Sequence, residues 1–481
     1  MPDIQTSLLI PYNVLAFLVP VGLTLLAIGA AKEKHAEQVA TTALIALATA
    51  VVGYFACGFA LQFGGIGLLS GSPGVQHLTA EWSPLDLAWG PGWGVIGLRG
   101  FFLGAQAYNP DAYSLFGSHL PTVTTAVLIT LLALCNHWSY MQLLVIGLLT
   151  SGFIYPLFGN WVWGGGWLSN LGLNVELGHG FVEVAGSATV FVLGSIIALS
   201  AFLIIKPRRM ASTGPARLPP IHFPLFMIVG ALLAAIGWPT LVLGNPLITD
   251  LVVPSLVIIN LMLAAAGGAL AVSFYSWFVT GRADALSTAR GMVAGLVAAS
   301  SSCAFVPAWS SLVIGSTAGV LLLLGQYVWE QVLHLDDLSG SLATFGLPGI
   351  WGTLAVAIFA DGHWGVGWNG VGVQQYLGVV GQGISGYLLA DGYLPAGPSQ
   401  LRAQLVGIGA LFVVALLVPW LAFKWAVWIR DLGRGALARR EEPSASPSPE
   451  EMPNEAASED GNAEADREIT QEDRETRDPS L

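Results

Sequence analysis

The feature that most constrains this chain is a series of apolar runs, each long enough to cross a lipid bilayer as a helix. Crossing the hydrocarbon core takes about 20 residues in helical form. Helices also satisfy the backbone hydrogen bonds that lipid cannot supply. Eleven runs meet these conditions: 8–31, 39–63, 118–135, 140–159, 181–205, 222–244, 250–279, 289–306, 310–333, 343–360 and 402–428. The sequence therefore predicts an all-α polytopic membrane protein with eleven transmembrane helices.

Composition and charge separate a membrane domain from a tail. Hydrophobic residues make up 54% of the chain and charged residues 10%, and the mean hydropathy of +0.67 excludes a soluble surface. The stretch 441–481 holds 14 acidic residues and three arginines, so it carries 11 of the 12 net negative charges. Such a stretch buries too little apolar surface to fold alone. We expect a transmembrane domain over 1–430 and a disordered cytoplasmic tail over 431–481 that is first basic and then acidic.

The positions of lysine and arginine predict the orientation of the chain. Short loops that are rich in these residues stay in the cytoplasm. Most basic residues follow odd-numbered runs, namely Lys32, Lys34, Lys206, Arg208, Arg209, Arg217, Arg282, Arg290, Arg430, Arg434, Arg439 and Arg440. Only Arg99 and Arg402 fall on the opposite side. We expect a multi-pass protein of the plasma membrane, with its amino terminus outside and its carboxyl terminus in the cytoplasm.

Two neighbouring segments indicate the entrance of a pore. The tract Trp161–Leu168 combines tryptophans with glycines, and Glu183–Ser187 heads the fifth apolar run. Glycines let helices and a re-entrant turn approach closely in a membrane. Tryptophan rings offer their faces to cations. The combination predicts a mouth that recruits cations.

Other segments have structural interpretations. Two glycine pairs have the spacing at which helices pack closely in lipid, Gly291 with Gly295 and Gly315 with Gly319. The segment 361–401 is rich in glycine and aromatic residues, and we expect it to form an ordered extracellular cap. Asp336 and Asp337 precede the tenth run, where carboxylates cap helices more often than they bind cations.

Several function classes have no support in the sequence. No phosphate-binding glycine loop, nucleophile motif or metal-ligand cluster is recognisable, and no basic patch fits nucleic acid. We therefore expect no enzymatic activity, no cofactor, no metal and no nucleic-acid partner.

In their order along the chain, several segments resemble the ammonium transporter family, which comprises the Amt, Mep and Rh proteins. The resemblance covers about 8–430. Its best pieces are Asn160–Leu168, Glu183–Val192, Gly237–Trp238, Val293–Val297, Asp336–Asp337 and Gly349–Gly352. The resemblance implies two five-helix repeats in inverted orientation, a peripheral eleventh helix, and a homotrimer with one pore in each subunit. Repeats of this kind commonly place functional residues near the membrane midplane.

The resemblance also assigns residues to the pore. It implies that the substrate is recruited at the outer mouth by Trp163, Trp238, Asn245 and Glu183. Asn245 aligns with a serine that helps to hold the cation in the family. Glu183 stands where the family has an aspartate. Two alternatives stay open: Trp163 is an interfacial anchor, and Glu183 stabilises the start of the fifth helix through the helix dipole.

The two histidines that the family presents to the pore are absent. Phe191 and Phe345 occupy their positions in this chain. The two phenylalanines that form the family's outer gate align with Leu241 and with the neighbourhood of Leu120–Thr122. The eight histidines lie in loops or near the ends of the predicted spans, and none is an evident substitute: His35, His77, His119, His137, His179, His222, His334 and His363.

Phenyl rings cannot replace imidazoles in handling an ammonium ion. Moving an ion into a dry channel costs tens of kcal/mol in the idealised limit, whereas a ring face returns about 0.5 to 2 kcal/mol. Imidazole offers a donor and an acceptor and titrates near neutrality. Two interpretations of Phe191 and Phe345 therefore stay open. With Leu241 they line a pore for a neutral species, or they stack and plug a lost channel.

The sequence accordingly predicts transport of ammonium or ammonia for nitrogen uptake. Two alternatives are a non-conducting sensor or scaffold, whose tail engages a cytoplasmic regulatory protein, and a channel for another small neutral solute. The expected partners are ammonium or ammonia, the lipid bilayer and two further copies of the chain.

Overall fold

The framework of the protein is a bundle of apolar helices. The computed structural model describes residues 4–31, 35–69, 74–205, 222–335, 337 and 340–424. Its long helices are α1 (Leu9–Ala30), α2 (Ala36–Leu68), α3 (Pro110–Leu134), α4 (Tyr140–Trp163), α5 (Ser187–Ile204), α6 (Pro224–Leu243), α7 (Pro254–Thr280), α8 (Ala285–Ala299), α9 (Ala308–Val332), α10 (Leu342–Phe359) and α11 (Gly397–Lys424). Within the described residues, ten of these are long and apolar enough to cross a membrane, and α8 is shorter. The all-α polytopic prediction is confirmed, whereas the count of eleven spans is not established by helix length.

Helix α3 begins eight residues before the predicted position 118. Asn109 caps it, because the Asn109 side chain accepts a hydrogen bond from the backbone N–H of Ala112 at 2.9 Å. Pro110 occupies the first helical position, where the missing N–H costs nothing. The polar first turns had hidden this start from a search for apolar runs.

The predicted spans 289–306 and 181–205 were both too long. Helix α8 ends at Ala299, and the buried serines 300–302 leave the helix. The N–H of Ala185 donates to the carbonyl of Ser300, and the N–H of Ser301 donates to Ser187 Oγ, both at 2.8 Å. The non-helical segments before α5 and after α8 thus satisfy each other's hydrogen-bonding groups inside the protein. Irregular backbone at membrane depth is tolerated under that condition.

Burial distinguishes central from peripheral helices. In the most apolar stretch of α3 and of α5, 83% of the residues are buried, and in α10 the share is 72%. In α11 it is 28%. Helices α3, α5 and α10 therefore occupy the middle of the bundle, and α11 lies at its edge.

The two glycine pairs pack α8 and α9 against α7. A Cβ atom added to Gly295 or Gly315 would lie 2.1 or 2.0 Å from the carbonyl oxygen of Ala264. The other member of each pair faces the carbonyl of Gly268 in the same way. The packing interpretation of these glycines is therefore correct.

Two small sheets lie in the long connections and were not predicted. Strand β1 (Glu81–Trp82) pairs antiparallel with β2 (Ile96–Gly97), and β3 (Gln375–Tyr376) pairs with β4 (Val379–Val380). The second sheet belongs to the segment predicted as an ordered cap. Both connections leave the bundle on the side where α2 and α10 end.

Some predictions concern residues outside the described part of the chain. These are the tail over 431–481, Asp336 and the basic residues Lys32, Lys34, Lys206, Arg208, Arg209, Arg217, Arg430, Arg434, Arg439 and Arg440. The helices α1 to α11 all belong to the compact unit Met1–Val427.

Candidate functional site

Three aromatic rings stack in the centre of the bundle. The ring of Phe191 lies 5.9 Å from that of Phe345, and the two planes differ by 15°. On its other side Phe191 meets Trp238 of α6 at 4.9 Å and 14°. All three side chains are buried. We call Trp238, Phe191 and Phe345 the ring stack.

Both phenylalanines lie in π-helical turns. Ser187–Val192 opens α5 with such a turn, and Leu342–Gly346 opens α10 with another. A π-helical turn inserts a residue into the regular ladder and is frequent at functional sites. Here the two turns bring the two rings together from different helices.

The start of α5 is fixed by Gly186 and Glu183. Gly186 has φ +96°, which favours glycine, and a Cβ there would lie 2.3 Å from Val190 Cγ2. The Glu183 carboxylate accepts hydrogen bonds from the N–H groups of Ala188 and Thr189 and from Thr189 Oγ1. A carboxylate in this position satisfies free N–H groups and complements the helix dipole. Glu183 therefore holds the turn that carries Phe191.

A cavity of about 310 Å³ lies beside the ends of α4 and α6. We call it the outer cavity, and the cavity at the opposite end the inner cavity, after the orientation that the charge pattern predicts. Its wall includes the Trp163 ring, Asn245 and Trp368, together with polar groups such as Ser169 and Asn170. The Trp163 indole N–H donates to the Glu183 carbonyl at 3.0 Å, which fixes the ring. The N–H of Leu247 donates to the Asn245 side chain.

The residues expected at the outer mouth divide into two groups. Trp163 and Asn245 line the same cavity. Trp238 instead joins the ring stack and donates its indole N–H to Ser300 Oγ at 2.8 Å. Glu183 is buried beneath the cavity as a cap of α5. Leu241 is buried in α6, about one turn from Trp238, and contributes to neither cavity wall.

His119 was missed by the sequence analysis. Because α3 begins at Pro110, His119 lies inside a helix and is buried rather than placed near a span end. Its ring centroid lies 4.8 Å from that of Phe63 and 5.4 Å from that of Trp163. Within the described residues, neither ring nitrogen has a hydrogen-bond partner. His119 is thus a polar group directly behind the Trp163 ring, and only the Asn109–Pro110 start signal could have revealed it.

An inner cavity of about 20 Å³ lies on the far side of the ring stack. Apolar side chains of α1 and α3, Arg290 of α8, and Ser341, Thr344 and Phe345 line it. Helix α10 has 18 residues, so its ends lie about 27 Å apart. The inner cavity touches Ser341, Thr344 and Phe345 at the start of α10, whereas the outer cavity touches residues 367–370 beyond its end. The two cavities therefore open toward opposite faces of the bundle.

The two cavities lie toward opposite faces of a bundle of membrane helices, and Phe345 of the ring stack lines the inner one. Such an arrangement defines a polytopic membrane protein of the channel and transporter class. The chain belongs to the ammonium transporter family, whose model matches residues 7–430.

Relatives and solved structures agree with this assignment. The chain is 34% identical to the ammonium transporter Amt2 of Archaeoglobus fulgidus over 72% of this chain and 69% of that one. It is 25% identical to the ammonium transporter of Bacillus subtilis over 70% and 77%. The structure of a protein called Sensor Amt Protein matches with a TM-score of 0.68 and 25% identity, over 88% of this chain and 93% of that one. Candida albicans Mep2 shares the fold, with a TM-score of 0.66 and 20% identity over 87% and 83%.

Proposed function

We propose that this protein transports ammonium nitrogen across the membrane and that the nitrogen passes the ring stack as uncharged ammonia. The observation that carries the proposal is the outer cavity, where the Trp163 ring and Asn245 share one wall in a chain of this family. An indole face attracts a cation, and an amide oxygen accepts a hydrogen bond from it.

The ring stack decides which species crosses. The faces of Phe191 and Phe345 return about 0.5 to 2 kcal/mol to a cation, against a desolvation cost that is many times larger. Uncharged ammonia avoids most of that cost. The ammonium ion leaves its proton in the water of the outer side, and ammonia continues inward. Transport of this kind moves no net charge.

We further propose the assembly and setting implied by the family. The protein is a homotrimer in the plasma membrane, with one pore in each subunit, its amino terminus outside and its carboxyl terminus in the cytoplasm. The two π-helical turns at the starts of α5 and α10 support an inverted repeat, because each repeat would then supply one ring.

A second candidate is an ammonium sensor that binds without conducting. Stacked rings are favourable by about 0.5 to 1.5 kcal/mol beyond their buried area, which opposes separation of Phe191 and Phe345. The similarity to Sensor Amt Protein covers most of both chains. In this candidate the tail over 431–481 engages a cytoplasmic regulatory protein. A channel for another small neutral solute is a further outcome of the experiment below.

Transport is tested in proteoliposomes with an ammonium gradient and an internal pH dye. We expect alkalinisation faster than in protein-free liposomes, and a several-fold slower rate for Trp163→Leu at low ammonium, because recruitment is lost. Trp277→Leu is the matched control, since Trp277 is exposed on α7 and lies away from both cavities. Rates equal to those of empty liposomes would contradict transport.

Binding without flux would support the sensor. Calorimetry with ammonium chloride then gives heat that is lost in Trp163→Leu and kept in Trp277→Leu, while the liposome rates stay at background. If ammonium neither binds nor crosses, another neutral solute such as methanol or urea is assayed in the same vesicles.

A further inference from the structure

The inner cavity contains a charged side chain at the place where a permeating molecule would leave the ring stack. Phe345 and Arg290 line this one small space. Its volume of about 20 Å³ holds about one water molecule. The guanidinium group of Arg290 therefore shares this small space with the innermost ring of the ring stack.

The position of Arg290 is defined by contacts with the start of α10. Gly340 has φ +69°, and a Cβ atom there would lie 2.5 Å from Arg290 Cζ. The guanidinium thus lies against the backbone just before α10. A side chain at position 340 would displace it.

Asp337 connects Arg290 to the same turn. The Asp337 carboxylate accepts hydrogen bonds from the N–H groups of Ser341 and Leu342 at 3.1 and 2.7 Å. It also interacts electrostatically with Arg290, as do the carboxylates of Glu330 and Asp284 to a smaller extent. The turn that presents Phe345 and the carboxylate that holds Arg290 are therefore one structural unit.

We propose that Arg290, held by Asp337, closes the inner end of the conduit to cations. Arginine stays protonated at every physiological pH. The guanidinium group lies in the cavity wall, whereas the carboxylates of Asp337, Glu330 and Asp284 do not. A positive charge that faces a narrow passage opposes the entry of cations, whereas an uncharged molecule needs only space. This inference deepens the proposed function, because it adds a second reason, independent of the ring stack, why ammonia rather than ammonium crosses.

The test compares charge variants at position 290 in proteoliposomes by measuring ammonium-driven current and internal pH together. Arg290→Met removes the charge and keeps an unbranched, though shorter, side chain, and Arg290→Lys keeps the charge. Arg290→Met leaves Asp337 as an uncompensated carboxylate, so the double variant Arg290→Met/Asp337→Asn is included both for charge balance and in case the single variant does not fold. Arg282→Met is the matched control, since Arg282 is exposed in the turn after α7 and lies away from the cavity.

In a Phe191→His/Phe345→His background, where the ring stack no longer excludes ammonium, we expect the ammonium current to rise about tenfold or more in Arg290→Met, because a repelling charge in the wall of a narrow passage is removed. With the ring stack intact, the current should stay low in every variant. The double variant should lie between Arg290→Met and the parent. Arg290→Lys and Arg282→Met should behave as the parent does. Equal currents for arginine at position 290, Arg290→Met and the double variant in that histidine background would overturn the inference.

The same series is repeated in a Phe191→His/Phe345→His background, so that a closed ring stack does not hide the effect. If the parent passes nothing but Arg290→Met conducts in either background, the proposed transport by the parent fails and the inner closure stands. If the parent alkalinises vesicles and position 290 has no effect in both backgrounds, transport stands and the closure fails. No current in any member of either series contradicts the closure, and alkalinisation by the parent no faster than in protein-free liposomes contradicts the proposed transport.

Discussion

At the residue scale, the buried polar side chains differ in how well their hydrogen-bonding groups are satisfied. The Glu183 carboxylate is matched by several donors, which explains why it is tolerated inside the membrane domain. His119 has no such partners among the described residues. Glu81, in the outer connection, is an intermediate case: one of its carboxylate oxygens is buried without a partner.

Glu81 makes the stability of the outer connection depend on pH. Burial, followed by the negative charge of Asp86, raises the pKa of Glu81 from 4.5 to about 7. The folded state therefore binds a proton more tightly than the unfolded state, so the contribution of Glu81 is fully present below pH 4.5 and is lost as the pH rises through about 7. Thermal unfolding in detergent should show the parent losing stability between about pH 5 and about pH 8.

Glu81→Gln should reduce that loss, because glutamine resembles the protonated acid and does not titrate. Glu37→Gln serves as the control, since Glu37 is exposed near the start of α2. A parent and a Glu81→Gln variant with the same change in melting temperature between the two pH values would show that Glu81 does not titrate in this range.

At the element scale, the starts and ends of helices position the site. The ring stack forms because α5 and α10 each open with a π-helical turn, and the turn of α5 depends on the left-handed backbone of Gly186. The turn of α10 depends on the Asp337 carboxylate, which accepts a hydrogen bond from the N–H of Leu342. The prediction that Asp337 caps the tenth helix is correct.

Gly186→Ala should lower the free energy of unfolding by about 1 to 3 kcal/mol through backbone strain alone. Contact of the new methyl group with Val190 adds to this loss. Gly409→Ala is the control, because a Cβ at Gly409 meets nothing within 4 Å. Alanine in that helix interior should be neutral or stabilising by up to about 1 kcal/mol. Equal unfolding in both variants, measured by titration with dodecyl sulfate, would contradict the role of Gly186.

The sequence was informative about apolar runs and less so about where helices end. Long apolar helices follow directly from hydropathy, and close packing at Gly295 and Gly315 follows from glycine spacing. The end of α8 at Ala299 could not be read in this way, because the buried serines that follow it are satisfied by residues more than 100 positions away. The π-helical turns gave no signal either. Arg290 appeared only as a loop charge, although the structure places it in a cavity wall.

At the scale of the whole molecule, the proposed path has three successive sections. The outer cavity offers an indole face and an amide, the ring stack offers only apolar surface, and the inner cavity offers a fixed positive charge. The three sections favour two forms of the same nitrogen. Ammonium is attracted outside, and only ammonia is compatible with the middle and the inner end.

This path makes the size of the side chain at position 345 the most direct test. The measurement is the initial rate of ammonia-driven alkalinisation in proteoliposomes for Ala, Leu, Phe and Trp at position 345. Each protein is matched for its amount in the membrane and its melting temperature. The account predicts that the rate falls steadily as the side chain grows from Ala to Trp, with the parent above protein-free liposomes. Rates that do not depend on the residue at position 345 would show that nitrogen does not pass between Phe191 and Phe345.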